Sequence, residues 1–297
     1  MKKITVFIYG GLGNQIFQYA ISRRIADQFG LKLVLNITPF ERDFFFRREF
    51  QLTKFDIRYD EIEAGNNLRF QLMRFIQHVP FFNPFFRFIL PNYIVEAKND
   101  YKINNLSSIS LKFDQYYIFG YWHDERYFDQ IALNLKSSFS VISSISSINT
   151  SIIRGLNKEQ SVAVHMRFSH MVKTGTNFTD NAMYQLGGKY YEKAFQYFLQ
   201  YSSSLKFYIF SDKPGMAKEY FNSTTYNVIV LEDNRGPDYE DLFIMSKFKY
   251  HIIANSSFSW WGAWLAENFG DNIVIAPSTT LFTPIIPSRW LTFGESH

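Results

Sequence analysis

Residues 4 to 9, ITVFIY, read as a β-rich buried strand that ends at GGLGN, and from Gln15 the period changes. Ile16, Phe17, Ala20, Ile21 and Ile25 then recur at helical spacing up to Gly30, a glycine placed where a helix C-cap is expected. LKLVLNI, from Leu31, is apolar again. Strand, glycine turn, helix, strand is a βαβ unit and predicts a parallel sheet. The second half repeats this grammar: SVAVHMRF, helix-like KYYEKAFQYFLQYS, LKFYIFSD, YNVIVLED, helix-like YEDLFIMSKFK, YHIIANSS, helix-like FSWWGAWLAENFG and NIVIAPS. Alternation this regular predicts a second doubly wound domain.

Between the halves the pattern is weaker. SSFSVISSISSINTS, 137 to 151, is serine-rich and uncharged. It reads as a linker or as an Ile-bearing helix with a polar face, and the domain boundary is set near it, giving 1–150 and 151–297. Residues 64 to 95 carry Arg69, Arg74 and Arg87, no acidic residue, and the run PFFNPFFRFIL. Helices packed on the first sheet explain this stretch; so does a basic aromatic surface that meets a membrane or a lipid-linked substrate.

Composition narrows the function classes. With 46% apolar residues, 33 Phe and 19 Tyr in 297 positions, the chain can bury two cores. The absence of cysteine removes disulfides, thiolate catalysis and Cys-ligated zinc, and it fits a reducing, cytoplasmic setting. The amino-terminal apolar run is too short for a signal-peptide core, and no stretch is long enough for a spanning helix. The net charge of +4 is spread along the chain, which suits an anionic small molecule better than nucleic acid.

The candidate chemistry lies at strand ends. GGLGN supplies Gly11 and Gly13, which let backbone amides approach a ligand, followed by Asn14 and Gln15. It is neither a dinucleotide fingerprint, for lack of the third glycine, nor a P-loop, for lack of GK[ST]. In HIIANSSFSWW a strand ends near Asn255, and Ser256, Ser257, Phe258 and Ser259 open a helix. Those hydroxyls either cap the helix or hold an anion there. Trp260 and Trp264 share one helix face and read as core. His165, Arg167 and His170 cluster after a strand, and Ser211 and Asp212 end another, where an acceptor meets a ribose hydroxyl or base N–H or caps a helix. Arginine, aspartate and serine at three strand ends of one sheet point to a nucleoside-diphosphate site.

GGLGNQIFQYA, GYWHDERYF, IFSDKP, the HxR element and YEDLFIMSKFKYHIIANSSFSWWGAWL occur in this order over nearly the whole chain, and together they resemble the bacterial α-1,2-fucosyltransferases of glycosyltransferase family 11. The resemblance implies a GT-B fold: two Rossmann-like domains facing across a cleft, the second holding a GDP-sugar and the first an acceptor saccharide. It also implies inversion at the anomeric carbon with no cofactor and no obligatory metal, in keeping with the lack of a DxD motif.

One stretch departs from the family pattern HxRRGD. Here it reads His165, Met166, Arg167, Phe168, Ser169, His170. His165 and Arg167 carry over, Arg167 on the diphosphate; the second arginine and the aspartate do not. Phe168 beside the donor would favour a less hydroxylated sugar than L-fucose, so transfer of L-colitose from GDP is the alternative. His170 is the candidate general base, with an unperturbed pKa near neutrality, and Asp124 and Glu125 are alternatives. Trp122, Asp124 and Glu125 are candidate acceptor contacts, and Asn14 is expected near the reacting centre. The acceptor is expected to be a terminal β-galactoside, free or lipid-linked, with the protein resting on the membrane in the latter case. A non-catalytic GDP-sugar or glycan-binding protein is the alternative from another class.

Overall fold

A computed structural model of the protein describes residues 1–42, 48–65, 67–78, 89–96, 112–168, 171–174, 177–180, 187–222, 224–232, 236–267, 272–278 and 284–294. The chain divides into two compact units, Met1–Ser140 and Val141–His297.

The first unit contains β1 (Lys3–Phe7), α1 (Leu12–Phe29), β2 (Lys32–Asn36), β3 (Glu61–Glu63), α2 (Asn67–His78), β4 (Tyr93–Val95), β5 (Gln115–Phe119) and α3 (Ala132–Ser138). Its strands lie in the order β3-β2-β1-β5-β4, and every pairing is parallel. From β1 the chain builds outward through β2 to β3 on one side and later adds β5 and β4 on the other. The strand order therefore reverses between β1 and β5. Helix α1 is buried nearly all round, and two of its polar side chains bond inside the unit: Gln18 accepts the Tyr9 N–H at 3.0 Å and Ser22 donates to the Gln18 carbonyl at 2.7 Å. It ends at Gly30, whose φ of 61° is the left-handed cap that a side chain would resist.

The second unit contains α4 (Ser147–Gly155), β6 (Ser161–Met166), β7 (Met171–Thr174), β8 (Asn177–Asp180), α5 (Gly188–Leu199), β9 (Lys206–Ser211), α6 (Pro214–Phe221), β10 (Val228–Val230), α7 (Asp238–Met245), β11 (Tyr250–Ile252), α8 (Ser257–Ala266), β12 (Ile273–Pro277) and β13 (Leu291–Phe293). Its six-stranded sheet runs β10-β9-β6-β11-β12-β13, again wholly parallel. The order reverses between β6 and β11. Both faces are covered: Val162, Val164, Met166, Phe207 and Ile209 pack with α5 and α6, while Ala163, Tyr208 and Phe210 pack with α7. That is why these strands read as unbroken apolar runs rather than alternating ones.

Two parallel, helix-flanked sheets are the α/β pair expected of a GT-B protein. Of the two readings of residues 137 to 151, the structure adopts a helix from Ser147, capped by the Ser146 hydroxyl on the Asn149 N–H. Residues 141 to 150 belong to the second compact unit. The antiparallel β7–β8 hairpin and the edge strands β3, β4 and β13 are additions that the apolar pattern did not suggest. Most of PFFNPFFRFIL, including Arg87, lies outside the described residues.

Candidate functional site

In open parallel sheets, ligands bind beyond the carboxyl ends of the strands where the strand order reverses. Each unit has one such point, and the sequence candidates fall on both.

In the second unit the reversal lies between β6 and β11. Arg167 follows β6 directly and is half-buried; its Nη1 donates to Ser256 Oγ at 3.4 Å. Ser256 is also the N-cap of α8, its Oγ accepting the Phe258 N–H at 3.3 Å. A guanidinium therefore stands at the amino end of a helix, where backbone N–H groups and the helix dipole already favour negative charge. The strand end is held from below: Tyr191 donates to the His165 carbonyl at 2.9 Å, and Tyr190 donates to the carbonyls of Ile253 at 2.7 Å and Ile275 at 3.0 Å. Burial raises the pKa of both phenols, so both remain donors throughout the ordinary pH range. His165 is 7% exposed, its ring 5.6 Å from that of Phe258. Asn255 and Ser256 are buried, and Ser257 and Phe258 are half-buried.

Two expectations in this unit need correction. The Phe168 ring is 1% exposed and sits in the core with Met166 and Tyr190, so it offers a sugar no surface. Ser259 is fully buried and donates toward the Ala254 and Ser256 carbonyls, each at 3.4 Å, so its hydroxyl serves the turn. Ser211 and Asp212 are also used locally: Ser211 Oγ accepts the Lys213 N–H at 3.0 Å, and Asp212 Oδ1 accepts the Phe168 N–H at 2.8 Å. Asp212 thus fixes the loop that carries Arg167. Trp260 and Trp264 are core residues, stacked 6.1 Å apart. His170 lies outside the described residues.

In the first unit the reversal lies between β1 and β5. Gly10 has φ 81°, a conformation that favours glycine, and a Cβ there would stand 2.9 Å from Asn14 Nδ2 and displace that side chain. Gly11 is the extended N-cap of α1, its carbonyl accepting the Asn14 and Gln15 N–H groups. Gln15 is 1% exposed and fully engaged: it donates to the carbonyls of Gly10 at 3.1 Å and Glu49 at 2.8 Å and accepts the Gln51 N–H at 3.1 Å. It staples the 49–51 segment to the turn rather than meeting a ligand.

Beyond β5, Trp122 has φ 58°, the one positive value at a non-glycine residue among those described. Such a conformation costs about 1 to 2 kcal/mol. It is held by Glu96, whose carboxylate accepts the N–H groups of Tyr121 at 2.6 Å and Trp122 at 2.9 Å. The Trp122 indole is buried edge-on against Tyr127, so it presents no face to a saccharide. Asp124 is 3% exposed; it accepts the Arg126 N–H and pairs with the Arg126 guanidinium, capping the short turn Glu125–Tyr127. Both are structural, contrary to the acceptor-contact reading. Glu125 is half-buried in that turn. The residue between them, His123, was passed over in the sequence. Its Nε2 meets Asn14 Oδ1 at 3.0 Å, joining the ends of the two switch-point strands.

The Glycosyl transferase family 11 model matches residues 3–284. An Escherichia coli alpha-1,2-colitosyltransferase is 30% identical over 94% of this chain and 92% of its own length. The Escherichia coli O-antigen biosynthesis glycosyltransferase WbnK is 31% identical over 90% of this chain and 91% of its own length. A looser likeness is to a crystal structure of POFUT1 in complex with GDP, with 13% identity over 93% of this chain and 98% of that one and a TM-score of 0.48. The family match and the two relatives, each aligned along most of its own length, lead to one conclusion: the chain belongs to glycosyl transferase family 11.

Proposed function

We propose that the protein transfers a deoxy-L-hexose, with inversion, from a GDP-sugar to O2 of a terminal β-galactoside during synthesis of an O-antigen-type surface polysaccharide. The observation that carries this reading is the Arg167–Ser256 pair at the strand reversal of the second sheet, beside the amino end of α8. Negative charge grows on the diphosphate as the C1–O bond breaks. A guanidinium, a capping hydroxyl and helix amides aimed at that oxygen stabilise the transition state more than the ground state. The first unit, with Asn14 at its own strand reversal, takes the acceptor. The reading assigns no metal and no cofactor.

L-Fucose is the first reading for the donor sugar. L-Colitose is the second, favoured by the similarity to a colitosyltransferase. Because the Phe168 ring is in the core, it is not the group that reads the donor's 3-position. Competing GDP-L-fucose and GDP-L-colitose with one β-galactoside acceptor, with product mass as the readout, decides between them.

The acceptor is proposed to be lipid-linked and the protein peripheral to the membrane. No helix among the described residues is long and apolar enough to span one. On α2, however, Leu68, Leu72 and Phe75 are exposed along one face within a segment that contains arginines and no acidic residue. Sedimentation with anionic phosphatidylglycerol vesicles should carry the protein down, and Leu68→Gln with Phe75→Gln should leave it in solution. Equal recovery with neutral phosphatidylcholine vesicles, or no effect of the substitutions, contradicts the surface.

A further inference from the structure

Asn14 and His123 stand at the carboxyl ends of adjacent parallel strands, β1 and β5, where the first sheet reverses its order. Three features fix the histidine. First, an amide oxygen only accepts, so the 3.0 Å contact with Asn14 Oδ1 requires His123 Nε2 to carry hydrogen and leaves the lone pair on Nδ1. The Asn14 amide packs over Gly10, its Nδ2 2.9 Å from where a Cβ on that residue would stand. Second, the ring lies between Phe17, 4.9 Å away, and Tyr121, stacked at 5.1 Å. These rings strip water from the imidazole and push its pKa below the ordinary value, so it is neutral at pH 7. Third, the chain reaches this geometry through the left-handed residue Trp122, held by Glu96. Strain held in place beside a ligand-binding edge is the signature of a side chain that must point one way. Among the described residues, Nδ1 has no hydrogen-bond partner.

We infer that His123 is a catalytic residue of the transfer, its Nδ1 accepting the attacking hydroxyl of the acceptor sugar in the tautomer that Asn14 fixes. This rests on the transferase reading above. In the step, the hydroxyl oxygen bonds to C1, and the C1–O bond to the diphosphate breaks with its electron pair leaving on GDP. The hydroxyl proton passes to Nδ1, and the imidazolium returns it to water. A weak base suffices, because the hydroxyl becomes strongly acidic only as its oxygen joins an oxocarbenium-like carbon.

The test uses the full chain with whichever GDP-sugar the wild type turns over. His123→Phe keeps the ring stack without nitrogen and should lose at least a hundredfold in kcat/KM for the acceptor, with GDP affinity and thermal midpoint unchanged. His123→Gln keeps an N–H for Asn14 and a carbonyl that can hold the hydroxyl but not take its proton, so it should keep a near wild-type KM for the acceptor and still lose at least tenfold in kcat. Transfer by His123→Phe at the wild-type rate overturns the inference. Should that variant fail to fold, the imidazole 15N spectrum of the wild type, assigned by difference with His123→Gln, serves instead. It should show the Nε2–H tautomer, with the Nδ1 resonance moving when acceptor is added. An Nδ1–H tautomer, or no movement, contradicts the role. If the wild type releases no GDP with any acceptor, the transferase reading fails, while the spectrum still tests whether His123 meets a saccharide.

Discussion

At the scale of single residues, the chemistry depends on which way a side chain points, and the local backbone decides that. In the loop after β5, Trp122 and Asp124 are buried, whereas Tyr121, His123 and Glu125 are half-buried. Choosing residues from GYWHDERYF by type alone selects Trp122, Asp124 and Glu125; the left-handed Trp122, which turns the chain before His123, is a backbone feature that residue type does not disclose. Arg167 was legible because the first polar residue after a buried parallel strand has only the carboxyl edge to occupy. Arg167→Ala should lower kcat/KM about a hundredfold to a thousandfold, as expected for removing one preorganised donor to developing charge. The circular-dichroism spectrum should stay that of the wild type, and undiminished turnover would remove Arg167 from the diphosphate site.

At the scale of elements, the second unit was the more readable because its strands are covered on both faces and α4 and α8 begin with serine caps. The edge strands were not: β3 is Glu-Ile-Glu with both glutamates paired across or near the sheet edge, and a strand this short and polar carries no apolar signature. Glu240, within the motif YEDLF, shows how a motif residue can belong to the scaffold. It is 4% exposed, and its Oε2 accepts the Ser146 N–H at 3.0 Å and Asn149 Nδ2 at 2.7 Å, tying the start of α4 to α7. Glu240→Ala leaves both donors buried without that acceptor and should cost about 2 to 4 kcal/mol. A thermal midpoint within a degree of wild type would show that the contact is not needed.

At the scale of the whole molecule, stability should depend on pH through histidine. His251 is fully buried, its Nε2 donates to the Met245 carbonyl at 2.9 Å, and desolvation lowers its pKa from 6.5 to about 4. The unfolded chain therefore binds a proton that the folded one refuses as pH falls from about 6.5 toward 4. The folded state loses stability across that window by up to about 3 kcal/mol from this group alone. Denaturant midpoints of His251→Gln should fall less steeply than those of the wild type between pH 6.5 and 4.5; identical slopes would contradict the assignment.

Across both units, the strand reversals of two parallel sheets collect the candidate chemistry: Arg167 and Ser256 in one, Asn14 and His123 in the other. The most direct test is a single assay of the purified chain with GDP-L-fucose or GDP-L-colitose and a β-galactoside, following GDP release and product mass together. The account predicts acceptor-dependent GDP release matched mole for mole by a product heavier by one deoxyhexose. Tight GDP-sugar binding with no release when acceptor is present would contradict it and leave a binding protein in place of a transferase.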